Sequence, residues 1–252
     1  MLPRRALPLV GALALVGLLI VPAVVVSAPD LGGSVPALTA SITKYDSSNW
    51  AGYVASAPNG SVTRVSADWI EPTGSCTSAS SYAAFWVGLD GATDSSVEQT
   101  GTLIACNSGV ASYYAWWELY PSTPIELVKG LTVAPGDRVS ASVSYASGAF
   151  KMSISVAGHS YAKKASESAS RSSAECIAED IAVGSALAPL TDFGRVNFTA
   201  CKATISGTSS GIGTFATVDE FTMVDSARHV LAATSSLNTA GKAFSVKWKR
   251  SA

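Results

Sequence analysis

The feature that most constrains the fold is a regular alternation of apolar and polar residues over short stretches. Between positions 63 and 69, Thr, Val, Ala and Trp occupy every second position, with Arg, Ser and Asp between them. The same pattern recurs at 139–145, 152–156, 196–200 and 244–248. Successive side chains of a β-strand point to opposite faces, so each stretch predicts a strand with one face on a core and the other in water.

Turn-forming residues separate these stretches, among them Pro-Asn-Gly at 58–60 and Pro-Gly-Asp at 135–137. Many short strands punctuated in this way predict an all-β fold, a sandwich of two large antiparallel sheets of concanavalin-like or jelly-roll type. One segment, 162–183, is rich in Ala and charged residues and has the propensity of a helix. The alternation pattern alone does not decide whether that segment is a helix or a strand.

The first 28 residues predict a secretory signal peptide. Arg4 and Arg5 precede an uncharged apolar run over 6–26, and Val26-Ser-Ala28 supplies small residues for signal peptidase. The run is also about 20 residues long, enough to span a bilayer, so a retained N-terminal anchor is the alternative and the only route to a membrane. We therefore expect a secreted, extracellular protein.

The rest of the chain divides into a linker or short pro-segment at 29–45 and one domain at 46–252. Without the predicted signal peptide, the chain has 15 Lys and Arg residues (17 minus 2) and 18 Asp and Glu residues, which gives a net charge of −3 with His neutral. No basic stripe is present, which argues against nucleic acid as a partner. We expect a monomer.

Four cysteines in an exported chain predict two disulfides, for which the sequence permits three pairings. We favour Cys76–Cys106 and Cys176–Cys201, because each pair would tie neighbouring segments together. The chain has no CxxC spacing and only two histidines, so we expect neither a metal site nor a cofactor.

The usual hydrolase motifs are absent or out of context. Gly207-Thr-Ser-Ser-Gly211 matches a nucleophile elbow, but it lies in a run of Gly, Ser and Thr typical of a loop. The sequence contains no HExxH motif of zinc peptidases and no Asp-Thr-Gly or Asp-Ser-Gly of aspartic peptidases.

Aromatic and acidic residues concentrate instead in three windows, at 48–53, 85–101 and 114–121, which hold four of the six tryptophans. Each window alone is typical of core packing and turns. Together they predict a cleft that holds an extended polymer by stacking and hydrogen bonding.

The sequences SSNWAGY, FWVGLDG, EQTG, YYAWWELYP, AECIAED and TDFGRVNFTA follow one another along this chain. In these motifs and their order the chain resembles the glutamic peptidases, or eqolisins, from about residue 47 to the C-terminus. The resemblance implies a β-sandwich, an endopeptidase that acts in acid on polypeptide substrates, and a strand rather than a helix at AECIAED.

The resemblance also implies site residues. The catalytic Gln of the family precedes Thr-Gly and corresponds to Gln99, and the catalytic Glu, the second acid of AECIAED, corresponds to Glu179. Cys176 replaces the usual Trp and can pair with Cys201, and Leu103 replaces a frequent Asp. Matching positions imply substrate contacts for Trp50, Trp86, Asp90, Trp116, Glu118 and Tyr120.

In the implied chemistry Glu179 takes a proton from water and returns it to the leaving amine, while the Gln99 amide orients the water and stabilises the oxyanion. The alternative is a carbohydrate-binding sandwich or a glycoside hydrolase, with Glu118 and Glu179 as its pair of carboxyl groups. Gln99 distinguishes the two hypotheses, since glycosidic cleavage has no evident need for an amide beside the acid.

Overall fold

The computed structural model describes residues 41–184 and 186–251. The predicted signal peptide at 1–28, its alternative as an anchor, and residues 29–40 of the predicted linker lie outside the described residues. Within the described ranges, no helix has the length and apolar character needed to cross a membrane. The helical content of these ranges is a single 3-10 turn, Ile212–Thr214.

Strands make up most of the described chain. They are β1 (Ser41–Ser47), β2 (Trp50–Ser56), β3 (Val62–Ile70), β4 (Ser81–Leu89), β5 (Val97–Asn107), β6 (Val110–Tyr120), β7 (Thr123–Leu127), β8 (Arg138–Ala146), β9 (Ala149–Val156), β10 (His159–Ala165), β11 (Ser173–Glu179), β12 (Ala182–Val183), β13 (Ala186–Leu187), β14 (Arg195–Ile205), β15 (Thr208–Gly211), β16 (Thr217–Val224), β17 (Val230–Thr234) and β18 (Phe244–Trp248).

These strands form two layers. The first runs in the order β1-β16-β2-β11-β4-β5-β6-β7, and the second in the order β17-β18-β14-β3-β8-β9-β10. Pairing of β16 with β17 joins the layers, and β3, β8 and β9 pack across β11, β4 and β5. All ladders are antiparallel except β1 with β16, so the predicted antiparallel sandwich is confirmed with one parallel strand added at its edge.

Strand β1 begins at Ser41, five residues before the predicted start of the domain at residue 46. Six of its seven residues are exposed, so its sequence lacks the alternation of apolar and polar residues that predicts a strand. It is held by the ladder to β16 and by stacking of Tyr45 on Phe221, with ring centroids 5.7 Å apart.

The apolar alternation read from the sequence marks the residues between the layers. On β3, Val65, Ala67 and Trp69 are buried, while the intervening polar side chains face outward. Trp69 packs on Phe198 of β14, with ring centroids 5.6 Å apart. The core is therefore built from alternate positions of each strand.

The ambiguous segment 162–183 is extended, as the resemblance implied. Strand β10 ends at Ala165 and β11 begins at Ser173, between β2 and β4. Backbone pairing on both sides and burial override the helix propensity of this segment.

Both expected disulfides are confirmed. Cys176 on β11 pairs with Cys201 on β14, with Cα atoms 6.5 Å apart, and so ties the middle of one layer to the other. Cys76 pairs with Cys106 at the end of β5. In the chain-entropy model, loops of this length contribute about 3–4 kcal/mol each.

Besides Asp90, four acidic side chains of the domain are almost completely buried: Glu71, Glu98, Glu175 and Asp180 are each at most 1% exposed. Burial raises the pKa of Glu98 to about 8 and those of Glu71 and Asp180 to about 7, and it also raises the pKa of Glu175. These groups are therefore protonated in the folded protein at pH values where the unfolded chain has already released its protons.

The free energy of unfolding should consequently fall as pH rises from about 4 to 8, because the unfolded state binds fewer protons across that range. We expect a higher Tm at pH 4 than at pH 8, measured by circular dichroism. Glu98→Gln should make the Tm fall less between these pH values. Glu126→Gln, a substitution of an exposed residue on β7, should leave the fall in Tm unchanged. A Tm that is constant or rises between these pH values would contradict the assignment.

Candidate active site

A cleft of about 770 Å³ lies on the outer face of the first layer. Its floor is built from side chains of β2, β5, β6 and β11, and its rims from the loop 90–96, strand β7 and the start of the β12–β13 hairpin. Asp94, Glu118 and Glu179 contribute carboxyl groups, and no Lys, Arg or His is among the described residues that line it.

The strand register places the two predicted catalytic residues on one face. Glu179 on β11 pairs with Ala84 on β4, and Gln99 on β5 pairs with Gly88 on the same strand. Ala84 and Gly88 are four positions apart and so point to the same side of the sheet. Both Glu179 and Gln99 line the cleft.

Three N–H groups hold the carboxyl group of Glu179. The Trp86 indole donates to Oε2 at 2.7 Å. Trp50 Nε1 and Asn49 Nδ2 donate to Oε1 at 3.2 and 3.0 Å. Donors on both oxygens fix the plane of the carboxyl group and favour its ionised form.

Burial opposes these donors and is the largest influence on Glu179. Desolvation, with a further contribution from the nearby carboxylate of Glu118, raises the pKa of Glu179 to about 7 despite the three hydrogen bonds. A carboxyl group with this pKa can accept and release a proton near neutral pH, which is the requirement for general acid–base work.

Two glycines make room for the Trp86 indole. A Cβ at Gly101, the cross-strand partner of Trp86, would lie 2.1 Å from the Phe85 carbonyl oxygen and 2.6 Å from Trp86 Cβ. A Cβ at Gly88 would lie 2.7 Å from the Trp86 ring. The Gly of QTG and the first Gly of FWVGLDG thus permit the approach that brings Trp86 to Glu179.

The other predicted catalytic residue, Gln99, is 6% exposed and is held by its partner on β6. Gln99 Nε2 donates to Glu118 Oε2 at 2.7 Å. Gln99 Oε1 has no hydrogen-bond partner among the described protein groups. Burial raises the pKa of Glu118 to about 7, although the Gln99 hydrogen bond lowers it in part.

Four of the six predicted substrate-contact residues line the cleft: Trp50, Trp116, Glu118 and Tyr120. Trp86 is fully buried in the floor and reaches Glu179 instead.

Asp90 does not line the cleft. It is fully buried, and its carboxylate accepts from the backbone N–H groups of Arg171 and Ser172 at 2.6 and 2.7 Å. Its expected substrate contact is therefore replaced by a structural role, in which it fixes the chain that enters β11.

Several groups of the cleft are not predicted by the sequence. Asn49 lies in the SSNWAGY motif, next to Trp50, and only the fold shows that it donates to Glu179. Ile125 on β7 and Ile181 line the cleft with apolar side chains, and Asp94 of the loop 90–96 lines it with a carboxyl group. These three carry no sequence signal beyond ordinary loop or strand composition.

The rejected nucleophile motif at 207–211 spans the β14–β15 turn and strand β15, not a strand-to-helix turn. Across the described ranges, no three His, Cys, Asp or Glu side chains form a group that could hold a metal ion.

The sequence profile of the peptidase A4 family matches residues 48–248. The chain belongs to this family. Aspergillopepsin-2 from Aspergillus niger is 32% identical over 137 residues, which are 51% of this chain and 48% of that protein. The chain thus matches about half the length of that curated relative.

Two solved peptidases share the fold of this A4 family member. A crystal structure of scytalido-glutamic peptidase with a transition state analog inhibitor superposes with a TM-score of 0.68 at 25% identity, over 80% of this chain and 98% of that one. Aspergilloglutamic peptidase from Aspergillus niger gives a TM-score of 0.58 at 29% identity, over 67% of this chain and 99% of its own.

The resemblance implied two departures from the family motifs, at Cys176 and Leu103. Cys176 forms the inter-layer disulfide. Leu103 is buried in an apolar cluster with Trp86 and Ile177 beneath the cleft.

Trp86→Phe in this family member should raise the pKa of Glu179, because it removes the donor to Oε2 and keeps an aromatic ring. A hydrogen bond to a charged group contributes roughly 1.5–3 kcal/mol, or about one to two pKa units. The pKa can be followed by ¹³C NMR of labelled Glu179.

Trp116→Phe is the matched control, because the Trp116 indole N–H has no partner among the described residues. Equal pKa values in wild type and Trp86→Phe would show that the indole does not act on the charged carboxylate.

Proposed function

We propose that this A4 family member is a secreted endopeptidase that hydrolyses peptide bonds with Gln99 and Glu179 as its catalytic pair. The observation that carries the proposal is that an amide and a strongly hydrogen-bonded carboxyl group line one cleft on one face of the sheet. The family membership and the likeness to two glutamic peptidases support it.

In the first step Glu179 acts as general base. It takes one proton from a water molecule whose oxygen attacks the carbonyl carbon of the scissile peptide bond. Gln99 accepts a hydrogen bond from this water through Oε1, and its NH₂ group donates to the developing oxyanion. The product of this step is a tetrahedral intermediate, with the transferred proton on Glu179.

In the second step the same carboxyl group acts as general acid. Glu179 gives its proton to the leaving nitrogen as the C–N bond breaks, which restores its charge and releases an amine and a carboxyl product. Asn49, Trp50 and Trp86 keep the carboxyl group in place through both transfers.

The cleft suits an extended polypeptide. Trp50, Tyr120 and the two isoleucines offer apolar surface to side chains of the substrate, over a floor that contains the buried Trp116. Its carboxyl groups, with no cation among the described lining residues, favour neutral or cationic segments, and polypeptides become more cationic as pH falls.

Two effects set the lower and upper limits of the working pH range. Because Glu179 must be ionised to take a proton, kcat/KM should rise with pH toward its pKa of about 7. Above that pH, ionisation of the buried carboxyl groups destabilises the fold. We therefore place the working range on the mildly acidic side of neutrality.

Secretion is proposed on two grounds. The sequence predicts a signal peptide at 1–28, and both disulfides are of the kind that forms in oxidising compartments.

Glu179→Gln should lower proteolysis of a denatured protein at least about a hundredfold, since general base catalysis contributes about 10²–10⁴. Gln99→Ala should lower it about 10²–10³-fold through loss of the oxyanion donor. The assay is release of soluble peptides between about pH 3 and 7.

Glu126→Gln, on the exposed edge strand β7 and outside the cleft lining, serves as the control and should retain full activity. The parent should resist pepstatin and chelators, because none of its steps uses an aspartic dyad or a metal. Full activity of either catalytic variant would overturn the assignment. Polysaccharide binding or hydrolysis without proteolysis would favour the carbohydrate alternative.

A further inference from the structure

Glu118 occupies a position in the cleft that substrate contact alone does not explain. It is the direct cross-strand partner of Gln99, and its Oε2 accepts the Gln99 Nε2–H at 2.7 Å. This bond occupies one of the two N–H groups of the amide, and the carboxylate holds the NH₂ group on its own side, so that at most one N–H is left for a developing oxyanion. Meanwhile Gln99 Oε1, the amide acceptor, is buried without a partner among the described protein groups.

The two protonation states of Glu118 require different hydrogen bonds from that amide. Ionised Glu118 only accepts, so it holds the NH₂ group, as the structure shows. Protonated Glu118 has an O–H to donate, and Gln99 Oε1 has two lone pairs to receive it. Rotation about the last side-chain bond of Gln99 exchanges the two arrangements, because that torsion has two broad, roughly equivalent minima.

We propose that Glu118 is the positioning residue for Gln99, and that the active cleft carries one proton on Glu118 while Glu179 is charged. In this form Glu118 donates to Gln99 Oε1, which still has a lone pair for the attacking water. Both N–H groups of Gln99 are then free to donate to the oxyanion. The inference rests on the proposed peptidase function and adds a second carboxyl group to its machinery.

The charged groups around Glu118 favour such sharing of one proton. Glu179 on β11 and Asp94 on the loop 90–96 line the same cleft, the Glu118 charge acts on Glu179, and no described lining residue is a cation. On the neighbouring strands, Glu98 pairs with Leu119 and Glu126 with Trp117, positions whose side chains point to the opposite face from Glu118.

Two carboxyl groups that interact in one buried cleft do not both ionise readily, and they titrate as a pair. Desolvation raises the pKa of both groups, and the Glu118 charge raises that of Glu179 further. The singly protonated pair gives a bell-shaped pH profile, whose falling limb reports release of the Glu118 proton.

The decisive experiment compares kcat and KM for a fluorogenic peptide over about pH 3.5–7.5 in wild type, Glu118→Gln and Glu118→Ala. Circular dichroism at each pH restricts the comparison to conditions where every variant is folded. The amide that Glu118→Gln introduces can donate to Gln99 Oε1 at every pH, as the protonated acid does, whereas the methyl group of Glu118→Ala can do so at none.

We expect Glu118→Gln to lose the falling limb of kcat or to move it up by at least about one pH unit. The kcat of Glu118→Gln at its optimum should remain well above the kcat of Glu118→Ala. We expect the kcat of Glu118→Ala to be about tenfold or more below wild type at all pH values, because oxyanion stabilisation is partly lost. An unchanged falling limb in Glu118→Gln, equal losses in both variants, or a change confined to KM would each overturn the inference.

A second readout does not depend on folding of the Glu118 variants. In ¹⁵N-labelled wild-type protein, the side-chain NH₂ signals of Gln99, assigned by their loss in Gln99→Ala, should shift with the same midpoint as the falling limb. Signals that do not titrate would also overturn the inference.

Failure of this inference is distinguishable from failure of the proposed function. If Glu179→Gln or Gln99→Ala retains full activity, the catalytic pair itself is wrong. If both are inactive at every pH while Glu118→Gln titrates like wild type, only the role of Glu118 fails.

Discussion

The site depends above all on the pairing register of β11 in the middle of its layer. Alternate residues of this strand point in opposite directions, so Glu179 faces the cleft while Cys176 faces the core and is bonded to Cys201. A slip of one residue would reverse both side chains. Pairing with β2 and β4 and the disulfide to β14 resist that slip, and thereby fix Glu179 against Trp50 and Trp86.

Desolvation acts on this framework in two ways. In the cleft it raises the pKa of Glu179 and Glu118 to about 7, where the proposed proton transfers become possible. In the core, desolvation also raises the pKa values of Glu98 and Asp180, which have no part in the proposed reaction. Ionisation of these two groups at higher pH destabilises the fold. Stability therefore falls as pH rises, whereas the ionised Glu179 that the proposed chemistry needs is favoured by higher pH, and burial of carboxyl groups is the physical cause of both.

Much of the fold follows from period-two alternation, because β3, β8, β9 and β18 each bury every second residue. Strand β1 was not predicted, because it is exposed on both faces and shows no apolar alternation. Strand β11 was predicted only from the family resemblance, because its residues have the propensity of a helix. The motifs predicted Gln99 and Glu179 as the catalytic pair, and both residues line the cleft. The hydrogen bonds of Asn49 and Glu118, and the inward turn of Asp90, depend on cross-strand geometry that no local pattern encodes.

The central claim is that Gln99 and Glu179 act on one tetrahedral centre. A crystal structure with a peptide whose scissile carbonyl is replaced by a tetrahedral, hydroxyl-bearing carbon tests it most directly. We predict that one oxygen of that centre lies within about 2.6–3.2 Å of the Glu179 carboxyl group and that the centre is hydrogen-bonded to Gln99. A centre bound elsewhere in the cleft, in contact with neither side chain, would contradict the claim.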